Sequence, residues 1–220
     1  MKGLLVKDIR FLMGQKASLL TCLGLGVYFL FTGADISYAM VFSIMMASLL
    51  STSSISYDSF DNGMSYLMTL PIQRKNYVVS KYIVSLLVAL VCSAVISVAI
   101  VICHAMGMEG FEFEWSQLGG TLVIALIMTV VLTAIMVPIY IIFGGEKAKF
   151  AMMAIFGVVV AIGFLISKIF GDMEAKMDAL IQKLSAMSDL QLGLIGAGVV
   201  VGIIAISLLI TIRFLERKEF

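Results

Sequence analysis

The sequence predicts an all-α integral membrane protein of six transmembrane helices, and three observations carry that expectation. Hydrophobic residues make up 61% of the 220 and charged residues 13%, against about 45–50% and about 25% in soluble domains. Uncharged runs extend over residues 17–34, 36–57, 82–108, 115–145, 150–167 and 190–212, each near the roughly 20 residues that a membrane helix needs. None alternates with period 2, and unpaired backbone groups are too costly in lipid for open strands, so the runs read as helices of a single domain, 1–220.

Residues 1–16 come first. Leu5, Ile9, Leu12 and Met13 recur at helical spacing, with Lys2, Lys7 and Arg10 elsewhere, which predicts an amphipathic helix on the inner membrane surface. The plainer alternative is a basic extension of the first span. Asp35 marks a short outer turn between spans one and two. If the N-terminus is cytoplasmic, twelve of the 15 basic residues fall on inner segments, leaving Lys168, Lys176 and Lys183 outside. The positive-inside rule therefore puts both termini in the cytoplasm, and a cleaved signal peptide is not expected.

The longest inner connection, residues 57–76, leads from Tyr57 to the start of the third span. Met64, Leu67 and Met68 share one face of a short helix, Asp58 and Asp61 precede it, and Pro71 ends it. A short helix with an apolar face and charged flanks suits docking in a groove on another protein; the alternative is a helix folded back on its own bundle or on lipid. Arg74, Lys75 and Lys81 are expected to anchor the third span at the inner headgroups.

Further along, the outer segment 106–117 carries Glu109, Glu112 and Glu114 and no basic residue. That pattern fits solvation and topology better than a cation or basic-substrate site, and Trp115 fits an interfacial anchor. Pro138 should kink the fourth span near its inner end, as packing or as a hinge. Between spans five and six, residues 171–189 keep Met173, Met177, Leu180, Ile181, Leu184 and Met187 on one face behind Asp172 as N-cap. This predicts an external amphipathic helix, more readily capping the bundle than resting on lipid or meeting substrate. Gly198 and Gly202, four apart in the last span, permit close helix approach, within the chain or in a dimer.

Several classes are disfavoured. The three cysteines have no disulfide or metal spacing. One histidine and no H-E-x-x-H exclude the usual metalloprotease arrangement. Proton or sodium coupling usually needs ionisable groups within the membrane, and the six runs contain only His104, near the outer end of the third. A secondary transporter and a non-transporting scaffold remain as alternatives. No nucleic-acid partner is expected.

The run Asp61, Gly63, Leu67, Leu70, Pro71, Arg74 and Lys81, between spans two and three of six, resembles the first cytoplasmic loop of ABC-2 type transporter permeases. The fuller form "YDSFDNG", "LP", "RKNYV" and "SKY" is similar to the bacterial branch that includes exporters of peptide toxins and antimicrobial peptides. Many relatives carry a carboxylate where this chain has Tyr66. The resemblance implies a permease of the bacterial cytoplasmic membrane whose coupling helix fits a cleft in a separate ATPase subunit, with Asp61, Gly63, Met64, Leu67, Leu70, Pro71 and Arg74 transmitting the stroke. It implies ATP and Mg on that subunit, no cofactor on this chain, and a second permease copy or homologue. In agreement, no G-x-x-x-x-G-K-[ST] phosphate loop occurs in the sequence, so this chain is not expected to be an enzyme. Amphipathic peptides or other hydrophobic compounds are the implied substrates, and methionine-rich spans would tolerate them.

Overall fold

The computed structural model describes residues 2–33, 35–60, 63–106, 115–169 and 189–217. The regular structure among them is helical: α1 (Lys2–Gly14), α2 (Lys16–Phe31), α3 (Ile36–Ser59), α4 (Gly63–Thr69), α5 (Arg74–Ala105), α6 (Trp115–Ile169) and α7 (Asp189–Arg217). The external helix expected over 171–189 and the Glu109, Glu112 and Glu114 cluster lie outside the described residues, apart from Asp189 at the start of α7. Among the described residues, four segments are long and apolar enough to cross a membrane: Ile36–Ser59, Arg74–Ala105, Gln117–Gly145 and Gly196–Arg217. A fifth arises if α1 and α2, bent by 68° at their junction, count as one span.

The bend at Gln15 separates the basic, amphipathic α1 from the apolar α2. The face of α1 that meets protein is set one residue earlier than the sequence suggested. Leu4, Asp8 and Leu12 are buried, whereas Ile9 and Met13 are exposed. At the opposite end of the bundle Asp35 starts α3, its carboxylate accepting the Ser37 N–H at 2.7 Å, which supplies one of the donors a helix start leaves orphaned.

α3 is the central post, packed by α2, α5 and α6. It is the least apolar of the spanning candidates and the most buried. Its hydroxyls are satisfied locally: Ser43, Ser48, Thr52 and Ser53 donate to carbonyls three or four residues back, a common way for Ser and Thr to sit inside helices. Small residues set the approach of its neighbours. A Cβ at Gly26 of α2 would lie 1.8 Å from Ser43 Oγ, and one at Gly145 of α6 would lie 2.7 Å from Cα and Cβ of Ser56.

Two apolar cores share this post. One, at the Asp35 end, gathers Leu30, Met40, Ile44, Ile96, Ile100 and their neighbours. The other, at what we call the basal end, joins Leu4, Ile55, Met64, Tyr77, Val78, Val137, Ile141 and Leu215, drawing on every helix except α2. α6 runs through Pro138 without a backbone break; the break comes six residues later at Gly144, with φ 76° and ψ 165°. That conformation is open essentially to glycine alone. It falls where the sequence placed the end of the fourth uncharged run.

Candidate functional site

The connection between α3 and α5 is built at the basal end. Gly63 opens α4 against the last turn of α3, so closely that a Cβ there would lie 2.9 Å from the Asp58 carbonyl oxygen. Met64 is buried, and Leu67, Met68 and Ile72 pack on the basal core beside it. The apolar face that the sequence offered for docking is thus turned onto the bundle, the arrangement weighed there as the alternative. What α4 presents outward is Tyr66, 73% exposed, and Leu70, 42% exposed, with Tyr57 and Phe60 also exposed on the approach to it. Pro71 sits in a tight turn: the Ile72 N–H donates to the Leu70 carbonyl at 2.6 Å, the spacing of a γ-turn. Asp61 lies outside the described residues.

Beneath α4 is a buried charge cluster that sequence reading missed. Lys81, only 3% exposed, donates to Asp8 Oδ1 at 2.8 Å, Asp58 Oδ2 at 2.7 Å and Ser54 Oγ at 3.0 Å. Lys7 donates to Asp58 Oδ1, and the Tyr77 hydroxyl donates to Asp58 Oδ2 at 3.0 Å. The Lys81 ammonium also lies 5.0 Å from the Tyr77 ring centre, within cation–π range. Two lysines balance two aspartates. A buried charge is tolerable only when paired and hydrogen-bonded, and this cluster meets that demand, save that Asp8 Oδ2 accepts no hydrogen bond among the described residues.

The cluster therefore ties three helices at the two roots of the α4 connection: Asp58 in the last turns of α3, Lys81 in the second turn of α5, and Lys7 and Asp8 of α1. Phe11 and Tyr57 add a ring contact, 5.0 Å between centres, between α1 and α3. Lys81 is not a headgroup anchor. A signal was present in the sequence, since Tyr77, Lys81, Val84 and Ser85 fall at helical spacing on the buried side of α5.

Arg74 also faces the protein. Its Nη1 donates to the carbonyls of Leu215 and Glu216 at 2.7 and 2.8 Å, capping the last turn of α7, where orphan carbonyls favour a cation. Of the residues singled out in the sequence, Gly63, Met64 and Leu67 meet in the seat of α4, Leu70 and Pro71 lie on its outer rim, and Arg74 points to α7. Lys75 is exposed, and so is His104 at the other end of α5.

Among the described residues, no group of three or more His, Cys, Asp or Glu could hold a metal ion. The arrangement is a short helix seated on the bundle, its two roots joined by ion pairs to α1. A family described as ABC-2 family transporter protein matches residues 3–216. No curated protein and no solved structure matches.

Proposed function

Because the chain belongs to the ABC-2 transporter family, whose members are membrane components working with an ABC ATPase, we propose that it is the permease subunit of an ATP-driven exporter and receives the ATPase stroke on α4. The observation that carries this reading is the outward rim of α4. Tyr66 and Leu70 stand clear of the bundle, while the residues behind them are fixed to α1, α3 and α5 by the basal core and the ion cluster. A partner pressing on that rim would move three helices together. ATP and Mg belong to the partner in this proposal, and a second permease copy or homologue completes the pathway. Six spans, both termini on the cytoplasmic side of a bacterial membrane and amphipathic peptides as cargo extend the proposal. Their support is the positive-inside pattern and the resemblance of the loop to the peptide-exporter branch.

The test is copurification of an ATPase from mildly solubilised membranes, comparing the native chain with Tyr66→Ala and Leu70→Asp. Both positions are exposed, so both variants should fold. Recovery with the native chain and loss with Leu70→Asp is the expected result. If no ATPase accompanies the native chain, the permease lacks its energy source. A secondary transporter or a non-transporting scaffold then moves ahead, and the buried Asp8–Lys81 pair is an ionisable site of the kind that the former needs.

A further inference from the structure

Pro138 has no N–H, so the carbonyl of Ala134, four residues earlier in α6, loses its usual helical donor. Ala134 is buried, and a buried carbonyl left without a donor is costly. The donor comes from another helix. The Ser207 hydroxyl of α7 donates to the Ala134 carbonyl oxygen, and the Tyr82 hydroxyl of α5 lies 2.6 Å from Ser207 Oγ. A carbonyl can only accept and a serine has one hydroxyl hydrogen, so that hydrogen is committed to Ala134 and Tyr82 must donate to Ser207. The chain Tyr82 to Ser207 to Ala134 thereby joins three helices at the proline.

Two neighbouring features give this joint freedom to move and a way to be driven. A cleft of about 180 Å³ lies between α5, α6 and α7, with Tyr82, Thr133 and Ile204 in its walls. Close-packed interiors transmit strain and leave little room for displacement, so the cleft supplies space next to the joint. Tyr82 also follows Lys81 directly in sequence. On a helix, consecutive side chains point about 100° apart, so α5 holds the basal ion cluster with one residue and the Pro138 joint with the next.

We propose that Ser207, oriented by Tyr82, is a latch on a hinge at Pro138, and that rotation of α5 releases it when α4 is displaced. The second clause rests on the transporter reading; the latch itself does not. Ser207 and Tyr82 are positioning residues in this scheme.

The latch is tested on the isolated full chain by a thermal-unfolding cycle. Ser207→Ala should lower the midpoint by on the order of 4 °C, the scale for one lost buried hydrogen bond in a chain of this size. In the background of Pro138→Ala, which restores an N–H opposite Ala134, the same substitution should cost clearly less, since only the acceptor that Ser207 offers Tyr82 is then lost. Equal costs in both backgrounds would overturn the latch. Should Ser207→Ala fail to fold beside Pro138, Ser207→Cys, a weaker donor to the same carbonyl, takes its place in the same cycle.

Motion is read separately at Phe143, exposed between Pro138 and the Gly144 break. With Cys22, Cys92 and Cys103 replaced by alanine, maleimide labelling of Phe143→Cys should be severalfold faster with Ser207→Ala than with native Ser207. An unchanged rate makes Ser207 a packing residue and overturns the hinge. In the complex with its ATPase, nucleotide should accelerate labelling beside native Ser207 but not beside Ser207→Ala. Acceleration in both removes the latch from the path of the stroke. Absence of any ATPase sinks the transporter reading and leaves the first two results standing.

Discussion

Lys81 shows how one residue can be visible in the sequence and its role hidden. Charge next to an apolar run reads as a headgroup anchor, because lysine near a helix end usually reaches for the interface. What the charge meets depends on Asp8 and Asp58, 73 and 23 residues away, and no local pattern reports a partner at that separation. The cluster makes a sharp prediction. Lys81→Met leaves two aspartates buried without their shared cation and should cost about 3–5 kcal/mol, whereas adding Asp8→Asn should return part of that loss. Thermal unfolding in detergent of the two single variants and the double variant checks it, and purely additive costs would dissolve the cluster as a unit. Gly63 is a second case. Its Cβ would meet the Asp58 backbone, which cannot swing aside as a flexible side chain can, so Gly63→Ala should weaken the seating of α4 and lower ATPase recovery even though alanine is the better helix former.

At the scale of elements, hydropathy made the apolar helices legible, because each must satisfy its own backbone in lipid. Faces were less so. Periodicity found the apolar face of α4 but could not say whether bundle or partner covers it, since both demand the same residues. Likewise a kink was expected at Pro138, where the backbone stays helical, and the non-helical residue is Gly144, at the expected end of the fourth uncharged run: a proline can be accommodated when another helix supplies the missing donor, whereas a φ of 76° has no such remedy. Gly144→Ala should therefore cost about 1–3 kcal/mol, and Pro138→Ala much less, a ranking that unfolding midpoints would reverse if the proline were the true break. The start of α3 adds a pH dependence. Hydrogen bonds from Ser37 hold the Asp35 carboxyl below its ordinary value. Its stabilising contribution is present above the unfolded pKa, about 3.9, and fades as pH falls through the lower folded value. Acid titration of stability in the native chain and in Asp35→Asn should diverge above that range and converge below it.

Across the whole molecule, the helix directions constrain how often the chain crosses the membrane. α3 runs from the Asp35 end to the basal end, α5 runs back, and the first arm of α6 returns to the basal end, where Gly145 meets Ser56. α7 also finishes there, its last carbonyls held by Arg74, having passed the cleft beside Ile204 on the way. Two successive spans cannot both run toward the basal end unless the chain crosses outward between them. The arm of α6 beyond Gly144, helical to Ile169, is long enough: at about 1.5 Å per residue it extends beyond the roughly 30 Å of the hydrocarbon core. Parity therefore predicts a return crossing between Gly145 and Gly196, and the arm of α6 that carries the uncharged run 150–167 is the candidate for it. With native cysteines removed, single cysteines at Trp115 and Lys176 should react with an impermeant maleimide on intact cells, and one at Tyr66 only after the membrane is opened. Labelling of Trp115→Cys from outside with position 176 protected would mean that the second arm of α6 turns back without crossing. The cytoplasmic placement of α4 is decided in the same experiment, because a Tyr66→Cys reactive on intact cells would put the rim of α4 beyond the reach of any ATPase.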